Sequence, residues 1–153
     1  MKKILLGIAA FLTVLAGGYG INELGAGVNT GERTIMSEVA TTTVGAEFLT
    51  NDYRNIVFNV ANTSASGTLK FACSPQEDVD FATAASVTNR WDYVQTVDRE
   101  DGTSYDGDTG FVETNNSEVR DFVANIDGAY SCTAMWTRTA GTSTVKMRLF
   151  NNQ

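Results

Sequence analysis

Apolar and polar residues alternate with a period of two along most of the chain beyond residue 33. Residues 34–43 are β-branched and alternating, and residues 44–50 can continue them. Over 53–61, Ile56, Phe58 and Val60 fall on one face. Over 67–74, Leu69, Phe71 and Cys73 share a face opposite Thr68 and Lys70. Residues 90–97 align Trp91, Tyr93 and Val97, and 118–126 align Phe122, Ala124 and Ile126. Residues 129–139 align Tyr130, Cys132, Ala134 and Trp136, and 142–150 set Val145, Met147 and Leu149 opposite Lys146 and Arg148. Short alternating runs separated by turn residues predict an all-β fold, an antiparallel β-sandwich of immunoglobulin-like or jelly-roll type. Thr139-Ala140-Gly141 reads as a hairpin turn between the last two strands. Residues 77–86, after the single proline Pro75, read as a loop or one helical turn.

The N-terminus has a different pattern. Lys2 and Lys3 precede an apolar run over 4–16, followed by the small residues Ala16, Gly17 and Gly18. The run is short of the ~20 apolar residues that span a bilayer. Residues 1–20 are therefore expected to be a signal peptide or a retained N-terminal membrane anchor. Residues 21–33 form a Gly/Asn linker and 34–153 the sandwich domain. Gly18 to Glu23 copies the spacing of a type IV prepilin cleavage site. In that class the apolar helix follows the cut, whereas here it precedes it, so the match is read as chance.

Charge and composition narrow the function. Eleven basic and 18 acidic residues give a net charge of -7, which repels phosphate backbones and argues against nucleic acid as a partner. The chain has no histidine. That removes histidine-based nucleophilic triads and zinc sites. No paired carboxylates stand in a catalytic context, so the chain is read as non-enzymatic.

The two cysteines, Cys73 and Cys132, each lie on the apolar face of a predicted strand. In an exported protein such a pair reads as a disulfide, the alternative being two free buried thiols. With Trp91 between them and Tyr130 two residues before Cys132, the pattern is similar to the Cys…Trp…Tyr-x-Cys skeleton of immunoglobulin domains. It departs from that skeleton in the long Asp/Gly segment 98–110.

Three further features are candidate sites. Asp98, Glu100, Asp101, Asp106 and Asp108 stand among glycines and are candidate Ca²⁺ ligands, although their spacing is not that of an EF-hand. The alternative is a pair of solvated acidic turns. Asn62 and Asn115 open N-glycosylation sequons near predicted turns. Trp91, Tyr93, Tyr105 and Trp136 are candidates for a sugar-stacking platform. Trp91 and Trp136 share faces with apolar neighbours and are expected in the core, and Tyr105 is expected to be exposed. No cofactor is expected beyond the candidate Ca²⁺.

The pieces DYRNIVF, GTLKF, TNRWDYVQ, DGDTG and AGTSTVKMR, spread over 52–150, resemble a family of small β-sandwich proteins from phage-related regions and small-genome uncultivated bacteria. The resemblance implies a structural or surface role without known activity. The expected function is that of a structural subunit of an extracellular assembly: a surface filament, pilus-like fibre or coat, or a virion. Its partner would be itself, as a homo-oligomer or polymer, through the strand at 34–43 added to a neighbour's sheet edge. A membrane would be met only through an uncleaved N-terminal segment. The alternative is an adhesin module binding carbohydrate or another ligand.

Overall fold

Two strands of 20 residues, β4 (Asn55–Ser74) and β10 (Ser131–Phe150), organise the domain. They pair antiparallel along their whole length, from Ser131 opposite Ser74 to Phe150 opposite Asn55. A computed structural model of the chain describes residues 31–151; the expected leader and most of the linker lie outside the described residues. The other strands are short: β1 (Arg33–Val39), β2 (Thr43–Val44), β3 (Phe48–Leu49), β5 (Asp92–Tyr93), β6 (Thr96–Asp98), β7 (Ser104–Tyr105), β8 (Phe111–Asn116) and β9 (Val119–Asn125). β1, β2 and β3 follow one another along β10, while β8, β9 and β5 line β4. β6 and β7 extend the sheet beyond β9. All described pairs are antiparallel, as expected.

The ribbon does not run straight. Phe58 and Phe71 both belong to β4, and 13 residues of extended chain would hold them about 43 Å apart. Their rings are stacked with centroids 3.9 Å apart. β4 therefore folds back on itself, and its neighbours fold with it. One layer holds β2, β3, the first half of β10, the second half of β4, β5 and β8. The other holds β1, the second half of β10, the first half of β4, β9, β6 and β7. Aromatic rings from the two layers interleave between them. Phe48 meets Phe58 at 6.2 Å, Phe71 meets Phe122 at 5.9 Å, and Phe122 meets Phe111 at 4.8 Å. A single sheet thus makes a sandwich by packing one half onto the other.

The line of folding is written in the backbone. Glu38, Gly141, Ser64 and Asn115 lie on four successive chains across the ribbon, and all have left-handed φ, between 47° and 66°. The inward phase changes there too. In β4 it moves from Ile56, Phe58 and Val60 to Leu69, Phe71 and Cys73; in β10 it moves from Cys132, Ala134 and Trp136 to Val145, Met147 and Leu149. Each switch from even to odd numbers is the one-residue slip of a β-bulge, and β10 shifts register at Arg138–Ala140 and Ala140–Thr142. Backbone N–H groups at the fold find side-chain hydroxyls. Thr144 accepts from Glu38 N, Ser117 from Ser64 N, Ser66 from Asn115 N and Thr42 from Arg138 N, at 2.7–3.1 Å. A hydroxyl can follow a bent backbone where a ladder partner cannot.

Several expectations are corrected. Thr139-Ala140-Gly141 is a bulge inside β10 and not a hairpin turn, because the neighbouring chains bend beside it and pairing resumes at Thr142. Likewise 53–61 and 67–74 are the two halves of one strand. β8 carries only Phe111 and Val112 as apolar residues, and Val112 faces out, so alternation does not reveal it. The strand at 34–43 is not detached: β1 pairs with β10, and its Ile35 and Met36 are buried in the core.

Candidate functional sites

Cys73 and Cys132 form a disulfide, with Cα atoms 4.0 Å apart. The immunoglobulin comparison would have them bridge two facing sheets. Instead they are direct register partners on β4 and β10, within one layer. Trp91, expected in the core, is instead half-buried outside the core cluster; its ring lies against Phe81 and Tyr93, and its Nε1 donates to Thr83 O. Replacing both cysteines by alanine is expected to lower stability by about 2–3 kcal/mol, since the closed loop is long but the bridge joins strands already paired. Urea unfolding of the double variant, against the oxidised parent, measures it.

The acidic segment does not gather into one cage. Asp98 is fully buried and its Oδ2 accepts from Arg120 at 2.7 Å. Its Oδ1 accepts from Glu100 N. Asp101 and Asp106 accept backbone N–H groups two residues on, from Thr103 and Asp108, which closes their turns. The side chains of Glu100 and Asp108 are exposed. Among the described residues no group of three or more Asp, Glu or Cys is placed to hold a metal ion.

The remaining candidates divide. Asn62 is 7% exposed, and its Nδ2 donates to Glu113 Oε2 at 3.1 Å. That buried amide is closed to a glycan in the folded domain, which corrects the first sequon; Asn115 is exposed. Trp136 is in the core as expected. Tyr105 is not exposed as expected but packs edge-on against Phe111 and Phe122. Val97 points outward, out of phase with the expected apolar face. Tyr130 leaves the inward row and its hydroxyl donates to Glu77 at 3.2 Å. No platform of the four named aromatics exists.

A chain of polar side chains enters the core where no site was expected. Arg120 on β9 holds Asp98 with one nitrogen and Glu118 with its Nε and other terminal nitrogen. Glu118 in turn lies beside Glu113, whose carboxyl accepts from Asn62. The Arg120 guanidinium also lies over the Phe111 ring, 5.4 Å from its centroid. Phase was the available signal: Glu118 and Arg120 continue the inward row of Phe122, Ala124 and Ile126, and Glu113 that of Phe111.

The cluster sets opposite acidities on two neighbouring glutamates. Burial, with Glu118 beside it, pushes the Glu113 carboxyl above its ordinary value against the donated bond from Asn62. The hydrogen bond from Arg120 holds Glu118 below its own. Folded Glu113 keeps its proton more tightly than the unfolded chain does. Its contribution to stability is present below the ordinary glutamate value and is lost as pH rises through the raised one. Glu113→Gln is expected to raise stability near neutral pH and to leave it nearly unchanged at about pH 4. Urea melts of both proteins across pH check this; parallel pH curves would contradict it.

At one end of the sandwich, loops 50–54 and 127–130 enclose an open cleft of about 410 Å³ lined by Asp52, Tyr53, Arg54, Pro75, Asp127 and Tyr130, among others. Thr50 ties the two loops together. Its N–H donates to Tyr130 O at 2.9 Å, and its hydroxyl donates to the carbonyls of Ala129 and Tyr130.

The sheet folded over on itself is an arrangement that solved structures share. The fold is similar to that of the SPBc2 prophage-derived protein YomS, with a TM-score of 0.62 at 15% identity, over 84% of this chain and 97% of that one. It is also similar to the PBSX exported protein XepA, with a TM-score of 0.64 at 15% identity, over 84% of this chain and 40% of that one. At this identity the likeness is one of fold. In sequence the chain matches no family model and no curated protein.

Proposed function

We propose that the chain is a non-enzymatic structural subunit of an extracellular assembly, either a component of a phage particle or an exported surface structure, built by pairing sheet edges between copies. The observation that carries the reading is the fold shared with one protein named as prophage-derived and another named as exported. The sheet also offers edges. Among the described residues β1 pairs as a strand only with β10 and β8 only with β4, although the Ile35 carbonyl of β1 is already taken by Ala46 N. An open edge is a template for another strand. A β1 edge meeting a β8 edge of the next copy would be a head-to-tail contact, which closes into a ring or grows into a filament.

Because β1 belongs to the subunit's own core, strand addition would use its free side and not the strand as a detachable arm. Deleting it would damage the fold as well as the assembly. An antibody to the chain, applied to fractionated cultures that produce it, should find it in the extracellular fluid or in sedimented particles. Confinement to the cytoplasm would overturn the reading.

A further inference from the structure

We infer that the cleft between loops 50–54 and 127–130 is a binding site for an uncharged sugar ring of a glycan. This site is independent of edge pairing, and neither the acidic turns nor Trp91, Tyr93, Tyr105 or Trp136 line it. Its volume, about 410 Å³, falls in the range of small-ligand clefts, roughly 300–1,000 Å³.

The walls are preformed. Besides the Thr50 bonds, Ile126 N donates to Arg54 O at 2.8 Å and Tyr130 N to Ser74 O at 2.7 Å. Asn51 and Asp52 take left-handed φ of 48° and 63°, and Gly128 takes 81°, so the chain turns sharply on both sides. Tyr130 lines the cleft, is 38% exposed as a residue, and is steadied by its hydroxyl's bond to Glu77. A tyrosine ring held at its tip offers an apolar face to the C–H side of a pyranose.

The polar groups suit hydroxyls. Asp52 and Asp127 supply acceptors and Arg54 supplies donors. Arg54 and Asp127 stand 3.8 Å apart with side chains 71% and 65% exposed, so their remaining lone pairs and N–H groups are open to a ligand. Asp52, Asp127 and nearby Glu77 outnumber Arg54, which disfavours phosphate, sulfate and uronic acids. The polar lining disfavours an apolar ligand.

The test uses the full chain on an array of neutral, N-acetylated and acidic glycans, followed by calorimetry with the strongest neutral glycan. Binding of a neutral glycan is expected, weakened about tenfold by Tyr130→Ala and similarly by Asp127→Asn, with unchanged melting temperatures. Val112→Lys, on the distant β8 edge, should leave calorimetric binding intact even where it disrupts assembly, so the two proposals fail separately. An empty array, retention of acidic glycans alone, or binding indifferent to both cleft variants would overturn the inference.

Discussion

Arg120→Met should lower the stability of the domain by about 3–5 kcal/mol, the usual cost of stranding a buried charge. Asp98 has no exposed surface, and the Arg120 side chain beside it is 23% exposed. The same guanidinium holds Glu118. Methionine would fill much of the space but leave both carboxylates facing none of the charge that compensates them. The second variant that makes this specific is Arg120→Met with Asp98→Asn. It should recover a good part of the loss, because a neutral amide needs no counter-charge. By contrast Arg54→Met should change stability by less than about 1 kcal/mol, since its pair with Asp127 is solvated on both sides. Urea is the denaturant to use, as guanidinium would screen the interaction in question. Equal losses for Arg54→Met and Arg120→Met would refute the assignment.

Gly141→Val should be the most damaging substitution, costing upward of about 4 kcal/mol and leaving little folded protein. Gly141 has φ of +66°, and a Cβ there would lie 2.2 Å from the carbonyl oxygen of Ser64 on the paired strand. Neither atom can move without moving the bend, since Ser64 is the corresponding left-handed residue of β4. Gly141→Ala should be milder but still severe. Gly128 separates the two causes: its φ is +81°, yet a Cβ would meet nothing within 4 Å. Gly128→Ala should therefore cost only the backbone preference, about 1 kcal/mol. Thermal melts of Gly128→Ala and Gly141→Ala side by side give the difference; the same small loss at both would mean the ribbon does not fold at Gly141.

The fold line also explains what the sequence made legible and what it did not. Period-two alternation located most strands and most of the core, because each half of β4 and β10 buries one face, but it missed β7 and β8. It did not show that the halves are continuous. Asn62-Thr63-Ser64, Asn115-Asn116-Ser117 and Thr139-Ala140-Gly141 have the composition of turns and sequons. They are the places where paired chains bend together and hydroxyls take over from the ladder. A bend and a turn demand the same local chemistry, and only the register of the neighbouring strand separates them. Thus Cys73 and Cys132, on predicted inward faces, were legible as a pair but not as partners within one layer.

The polar sites were hidden for a related reason. Asp98 and the other acids of its segment look alike in sequence, and what sets Asp98 apart is Arg120, 22 residues on and one strand away. The end cleft draws on loops more than 70 residues apart, tied by Thr50 and Tyr130; no local spacing announces it.

Sedimentation of the full chain over a wide concentration range tests the assembly account most directly. The account predicts a mass that is a multiple of the single chain. It also predicts that Ser37→Lys with Val112→Lys, which puts charge on the β1 and β8 edges, returns the protein to one chain without changing its melting temperature. A chain that stays single at every concentration, or an oligomer that survives the double variant, would contradict it.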